Sequence, residues 1–245
     1  MTTLWTKRTW DFPRRMLGDL IGLTLLSWAG FVVVIAAIIA GIAIFDTVDE
    51  SVWESVAGAP PWYTAFIGGY VFHDLLPLYV AHGQTRRDFA VQATIFTVIF
   101  AAAAAVLMAV GFLLERVLYR VADWPQALSG DQLYSSPTDV PLILVEFWLV
   151  FLVWTAAGAL IGAGFYRSNE TGLFTLLPAT VVIAAIGIAV GSDWGPFGAL
   201  IDRVVDEPGN LPLAASIAIG LGAFALTLAT TWPLVRDIPI RTKQS

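Results

Sequence analysis

The sequence predicts an all-α membrane protein of six transmembrane helices, and three observations predict it. Hydrophobic residues make up 58% of the 245-residue chain and charged residues 13%, about half the roughly 25% charged residues of an average soluble domain. The apolar residues fall in long uncharged runs, among them 20–45 and 89–114, each beyond the roughly 20 residues that a helix needs to cross hydrocarbon. The basic residues collect in alternate connections between these runs and the acidic residues in the others, the asymmetry that orients membrane helices.

Residues 1–19 carry Lys7, Arg8, Arg14 and Arg15 among Leu4, Trp5, Trp10 and Phe12, with Pro13 interrupting. This reads as an amphipathic surface helix over 4–15, its tryptophans at headgroup level and its cations toward lipid phosphate. The run 20–45 reads as the first span. It is well beyond the about 7–15 residues of a signal-peptide core, and Ala40-Gly41-Ile42-Ala43 makes a poor cleavage site.

Further spans are expected at 62–80, 89–114, 140–166, 171–190 and 211–235. Pro60 and Pro61 stand at the start of the second, and His73, Asp74 and Pro77 interrupt it. Between the fifth and sixth, Phe197, Leu200, Ile201 and Val204 form an i, i+3, i+4, i+7 stripe behind Pro196, which predicts an outer interfacial helix over 196–206. No internal repeat or Gly/Ser-rich linker divides the chain, so 1–245 reads as one transmembrane domain.

Ten of the 13 lysines and arginines lie in residues 1–19, in 81–88, at Arg167 and after residue 235. The positive-inside rule therefore puts both termini and the 81–88 connection in the cytoplasm, and the chain is expected in the plasma (inner) membrane. The opposite loops are acidic, with Arg116, Arg120 and Arg203 their only cations.

The polar connection His82-Gly83-Gln84-Thr85-Arg86-Arg87-Asp88 separates the second and third spans. Gly83 can supply the turn, and Thr85 followed three residues later by Asp88 reads as a helix N-cap with a capping-box partner. Arg86 and Arg87 then fall in the first helical turn, where the dipole disfavours cations by a few tenths to about 1 kcal/mol. They call for something negative: a lipid phosphate, or an acidic groove on another protein.

Two carboxylates lie within spans, Asp74 and Glu146, and an ionisable group there costs at least about 2.5–3.5 kcal/mol. Asp74 sits beside His73 toward the cytoplasmic side, and Glu146 lies near the outer face, too far apart in depth to share a proton or metal. For Asp74 two readings stand: pairing with a polar neighbour or the inner interface, and a path or gating role in which His73 and Glu146 are further candidates.

The chain has no cysteine and two histidines, and it contains no His-Glu-x-x-His, Gly-x-Ser-x-Gly or P-loop sequence. Metal, serine and nucleotide chemistry are therefore not expected on it, and neither is a nucleic-acid partner. The glycine pairs Gly18/Gly22, Gly158/Gly162 and Gly187/Gly191 suit close packing of helices within the chain.

Six spans, cytoplasmic ends, a surface helix before span one, the Gly83-Gln84-Thr85-Arg86-Arg87-Asp88-Phe89 hinge and an outer interfacial helix before span six make a layout that resembles the permease (transmembrane) subunit of type-2 ABC exporters. That subunit is the six-helix half encoded separately from its ATPase. The resemblance implies that His82 to Asp88 form the coupling helix, docked in a groove of a separate ABC ATPase. It implies that Trp5, Lys7, Arg8, Trp10, Arg14 and Arg15 belong to a connecting helix touching the same partner, and that 196–206 is the outer helix near the translocation exit.

A second permease subunit, identical or related, would complete the path. ATP and Mg would sit on the ATPase, and this chain would carry no cofactor and no enzymatic activity of its own. The sequence departs from some relatives in its short outer loops, and Asp74 maps onto no shared feature. Two other readings are a non-transporting membrane scaffold or immunity-type subunit whose hinge binds anionic lipid, and an intramembrane enzyme built on His73 and Asp74.

Overall fold

The computed structural model describes residues 7–128, 132–192 and 211–237. In chain order the elements are α1 (Lys7–Phe45), α2 (Val52–Ser55), α3 (Ala59–Tyr70), a π turn (Val71–Leu75), α4 (Leu76–Ala81), α5 (Arg86–Val121), α6 (Val140–Arg167), α7 (Asn169–Val190) and α8 (Leu213–Arg236). No strand forms among the described residues, and one isolated parallel bridge joins Glu50 to Ala127. Five stretches are long and apolar enough to cross a membrane: Leu20–Phe45 of α1, and α5, α6, α7 and α8. This is the makeup of a multi-pass membrane protein.

The expected second span lies within residues 59–81, which are helical throughout but in three pieces. At the π turn the Leu76 N–H donates to the Val71 carbonyl, one residue further back than in an α-helix. Pro77, which has no N–H to donate, follows in the first turn of α4. The extra residue of the π turn therefore lets the chain pass a proline without ending its helical course.

A second difference concerns the start of the chain. A surface helix over 4–15 and a span from residue 20 are expected as separate elements, yet α1 runs unbroken from Lys7 to Phe45, past Pro13. The intervening Met16-Leu17-Gly18-Asp19 holds one weak helix former, Gly18, at a cost of about 1 kcal/mol, which is too little to break a helix continued by 26 uncharged residues. The outer helix expected at 196–206 lies outside the described residues, as do Leu4, Trp5, Arg241 and Lys243.

The bundle is built around α6, which packs against α3 and its π turn, α5, α7 and α8. Of its most apolar window 67% is buried, against 17% for α1, which packs against α5 and the short α2. Contact between α3 and α6 is made by backbone. A Cβ at Gly158 would overlap the Ala65 carbonyl, and one at Gly162 the Gly69 carbonyl, so these small residues let the helices touch. Of the other expected glycine pairs, Gly18 and Gly22 face open space, and Gly191 caps α7 in the left-handed conformation, φ 72°.

Candidate functional site

The 82–88 hinge is two helix caps placed back to back. At the end of α4 the Gly83 N–H donates to Val80 O at 3.0 Å and the Gln84 N–H to Tyr79 O at 3.2 Å, with Gly83 at φ 84°. These are the paired bonds of a Schellman motif, which needs a left-handed residue at that position. One residue on, the Thr85 hydroxyl accepts from the Asp88 N–H at 3.1 Å, capping α5. The His82 Nδ1 lies 2.7 Å from Leu78 O.

With both caps satisfied locally, four residues connect α4 to α5 and hold no helix of their own. The coupling helix implied by the resemblance is therefore a tight corner, continued by the first turn of α5. His82, Gly83, Thr85, Arg87 and Asp88 are exposed on it, and Gln84 and Arg86 are half-buried. Lys7, Arg8, Trp10, Arg14 and Arg15 all lie on the N-terminal part of α1, and Trp5 precedes the described residues.

His73 and Asp74 both lie in the π turn, with the His73 Nδ1 3.2 Å from a carboxylate oxygen of Asp74 and the side chains 48% and 53% exposed. Asp74 stands eight residues before His82, about 12 Å along a helix axis. The His73 ring meets Tyr166, near the end of α6, edge-on at 6.0 Å. The pair therefore faces outward from the chain, about two helical turns from the corner. A polar couple that faces outward needs water or other polar groups around it.

Glu146 is placed differently. It is fully buried on α6, and one of its oxygens accepts from the Leu133 N–H at 2.9 Å while the other finds no hydrogen-bond partner among the described residues. It fastens the 132–139 segment over the opposite end of the bundle and does not join His73 and Asp74.

Beside it is a buried polar group that the sequence did not suggest. The Glu115 carboxylate accepts from the Ser51 hydroxyl at 2.6 Å, the Trp53 N–H at 2.7 Å and the Gln126 side-chain amide at 2.8 Å. The Tyr119 hydroxyl donates to Glu50 O at 2.9 Å, and the Ser51 N–H to Ala127 O at 2.9 Å. Ser51 also caps α2, accepting from the Glu54 N–H. Its Ser-x-x-Glu sequence was the one local signal available. The whole group closes the end of the bundle away from the hinge with polar bonds.

Among the described residues no three His, Asp or Glu side chains converge as metal ligands. The arrangement offers a rigid cationic corner and an exposed polar couple on one side, and a sealed polar cap on the other. Compared with known proteins, the chain matches no family model, no curated protein and no solved structure.

Proposed function

We propose that this chain is the transmembrane subunit of an ATP-binding-cassette exporter. It forms the translocation path with a second permease subunit and couples to a separate ABC ATPase through the 82–88 corner. The observation that carries this reading is the corner's construction: two satisfied caps fix Arg86 and Arg87 rigidly to the helical run that bears the exposed His73–Asp74 couple. A push on the corner would be transmitted through the six residues of α4 to a polar face that hydrocarbon would not tolerate. That is the two-state lever a coupled transporter needs, with the ATPase biasing its equilibrium.

On this reading residues 59–81 are the sixth membrane crossing, both termini are cytoplasmic, and the first turns of α1 rest near the inner surface beside the ATPase. ATP and Mg are held by the partner, and this chain makes and breaks no bonds. His73 and Asp74 line the inner mouth of the path, while Glu146 serves the outer cap.

The test is co-purification. The tagged chain is extracted from its native membrane in mild detergent and assayed for a bound P-loop ATPase, alongside Arg86→Glu with Arg87→Glu. The wild type is expected to retain the ATPase and the double variant to lose it while keeping its membrane insertion and thermal midpoint. Failure to find an ATPase even after cross-linking would overturn the exporter reading in favour of the scaffold one.

A further inference from the structure

A groove of about 280 Å³ opens between α5 and α8 at the hinge end of the bundle. Phe72 contributes to its lining, Ala90 and Thr94 line it from α5, Leu228 and Trp232 from α8, and Arg87 stands at the end nearest the hinge. Arg87 is its one charged lining residue. The Arg87 side chain is exposed, and no ion pair to it forms among the described residues. The nearby acid of α8's end, Asp237, is taken up by Arg236 at 3.7 Å.

Beyond Arg87 the groove is apolar in effect as well as composition. Its two hydroxyls are turned onto their own helices, Thr94 to Ala90 O at 2.9 Å and Thr231 to Thr227 O at 2.7 Å. They offer no donor to a ligand. From Arg87 to Thr94 is seven residues, about 10 Å along the helix. Those dimensions fit a stretch of single hydrocarbon chain, and a lining without free hydroxyl donors does not suit a sugar. One cation at the interface end with an apolar slot running inward is complementary to an anionic headgroup joined to an acyl chain.

We propose that this groove seats one anionic phospholipid of the bilayer, its phosphate on the Arg87 guanidinium and one acyl chain along Ala90, Thr94 and Leu228. The site stands on the chain's being a membrane protein and is independent of the exporter reading, because lipid retention is measured without any ATPase. It assigns Arg87 a partner in the membrane plane, within reach of the same corner.

The experiment is native mass spectrometry of the purified chain, delipidated and then offered phosphatidylglycerol or phosphatidylcholine of matched chains. The wild type is expected to retain phosphatidylglycerol in preference, and Arg87→Lys to keep most of that preference. Arg87→Gln is expected to lose it about fivefold, the equivalent of about 1 kcal/mol for one basic residue near an anionic surface. Ala90→Trp, which fills the slot, should lose both lipids, and Arg120→Gln, at the far end of α5, should change nothing. Equal retention of the two lipids by the wild type, or undiminished phosphatidylglycerol on Arg87→Gln, overturns the proposal. Arg87 is exposed, so that variant reports whether or not the bulky one folds.

Discussion

Gly158 of α6 lies directly against the backbone carbonyl of Ala65 in α3, with no room for a Cβ between them. Replacing a helical glycine by alanine ordinarily gains about 0.5–1 kcal/mol. Here the neighbour is a backbone atom held by its own helix and cannot swing aside, so overpacking at about 1–3 kcal/mol decides the sign. Gly158→Ala is expected to lower the thermal midpoint in detergent. Gly22→Ala on α1, where nothing lies within 4 Å, is expected to leave it unchanged or raise it. A Gly158→Ala protein as stable as wild type would mean that the two helices are not in backbone contact.

Glu115 holds three donors from outside its own helix, and each becomes an orphan if the carboxylate is removed. A buried unsatisfied donor costs about 1–3 kcal/mol, so Glu115→Ala should destabilise that end of the bundle by at least about 2 kcal/mol. Hydrogen exchange reads this locally. The amide of Trp53, whose partner is the carboxylate itself, should lose protection in the variant, while the hinge amides of Gly83 and Gln84 keep theirs. Unchanged exchange at Trp53 would remove Glu115 from the cap.

How far such features can be read without coordinates depends on the span of the interaction. The hinge was legible because its bonds join residues three to five apart: Gly83 and Thr85 act on their immediate neighbours. Glu115 was not, because its partners Ser51 and Trp53 lie 64 and 62 residues away, and nothing local marks that meeting. For the same reason the sequence alone ends the third span at residue 114, before the charge. The helix continues to Val121 because Glu115 and Tyr119 are satisfied by the 50–53 segment. His73 and Asp74 were visible as interruptions. The π turn was not, since it depends on which carbonyl the Leu76 N–H selects.

Tyr134 sits in the loop between α5 and α6 and is 1% exposed. Burial first, then the charges of Glu146, Glu54 and Glu115, hold its phenol far above the usual tyrosine range, which lies near 10. The unfolded chain can ionise this group where the folded chain cannot. Its contribution to stability is therefore intact below about pH 10 and is lost as pH rises past that value, at no more than about 1.4 kcal/mol per pH unit. Thermal midpoints at pH 9 and pH 11 should fall further for the wild type than for Tyr134→Phe. An identical fall in both would show that this phenol is not sealed from water in the folded chain.

The absence of cysteine from the chain makes single introduced thiols unambiguous reporters of the His73–Asp74 face. Only a thiolate reacts with a maleimide, and a thiolate forms in water and not in hydrocarbon. Asp74 and Phe174 are both exposed in the isolated chain. Asp74 lies eight residues before His82, and Phe174 lies six residues past Ser168 near the start of α7. They differ in surroundings, since Phe174 lies on an apolar face with the exposed Leu173 and Leu177. If the π turn lines a wet path, a cysteine at 74 in proteoliposomes should label with a membrane-impermeant maleimide at least about tenfold faster than one at 174. A cysteine at 146, sealed under the loop before α6, should not label until the protein unfolds. Equal, slow labelling at 74 and 174 would place the polar couple against lipid or a dry interface, and the inner mouth of the path would have to be sought on another helix.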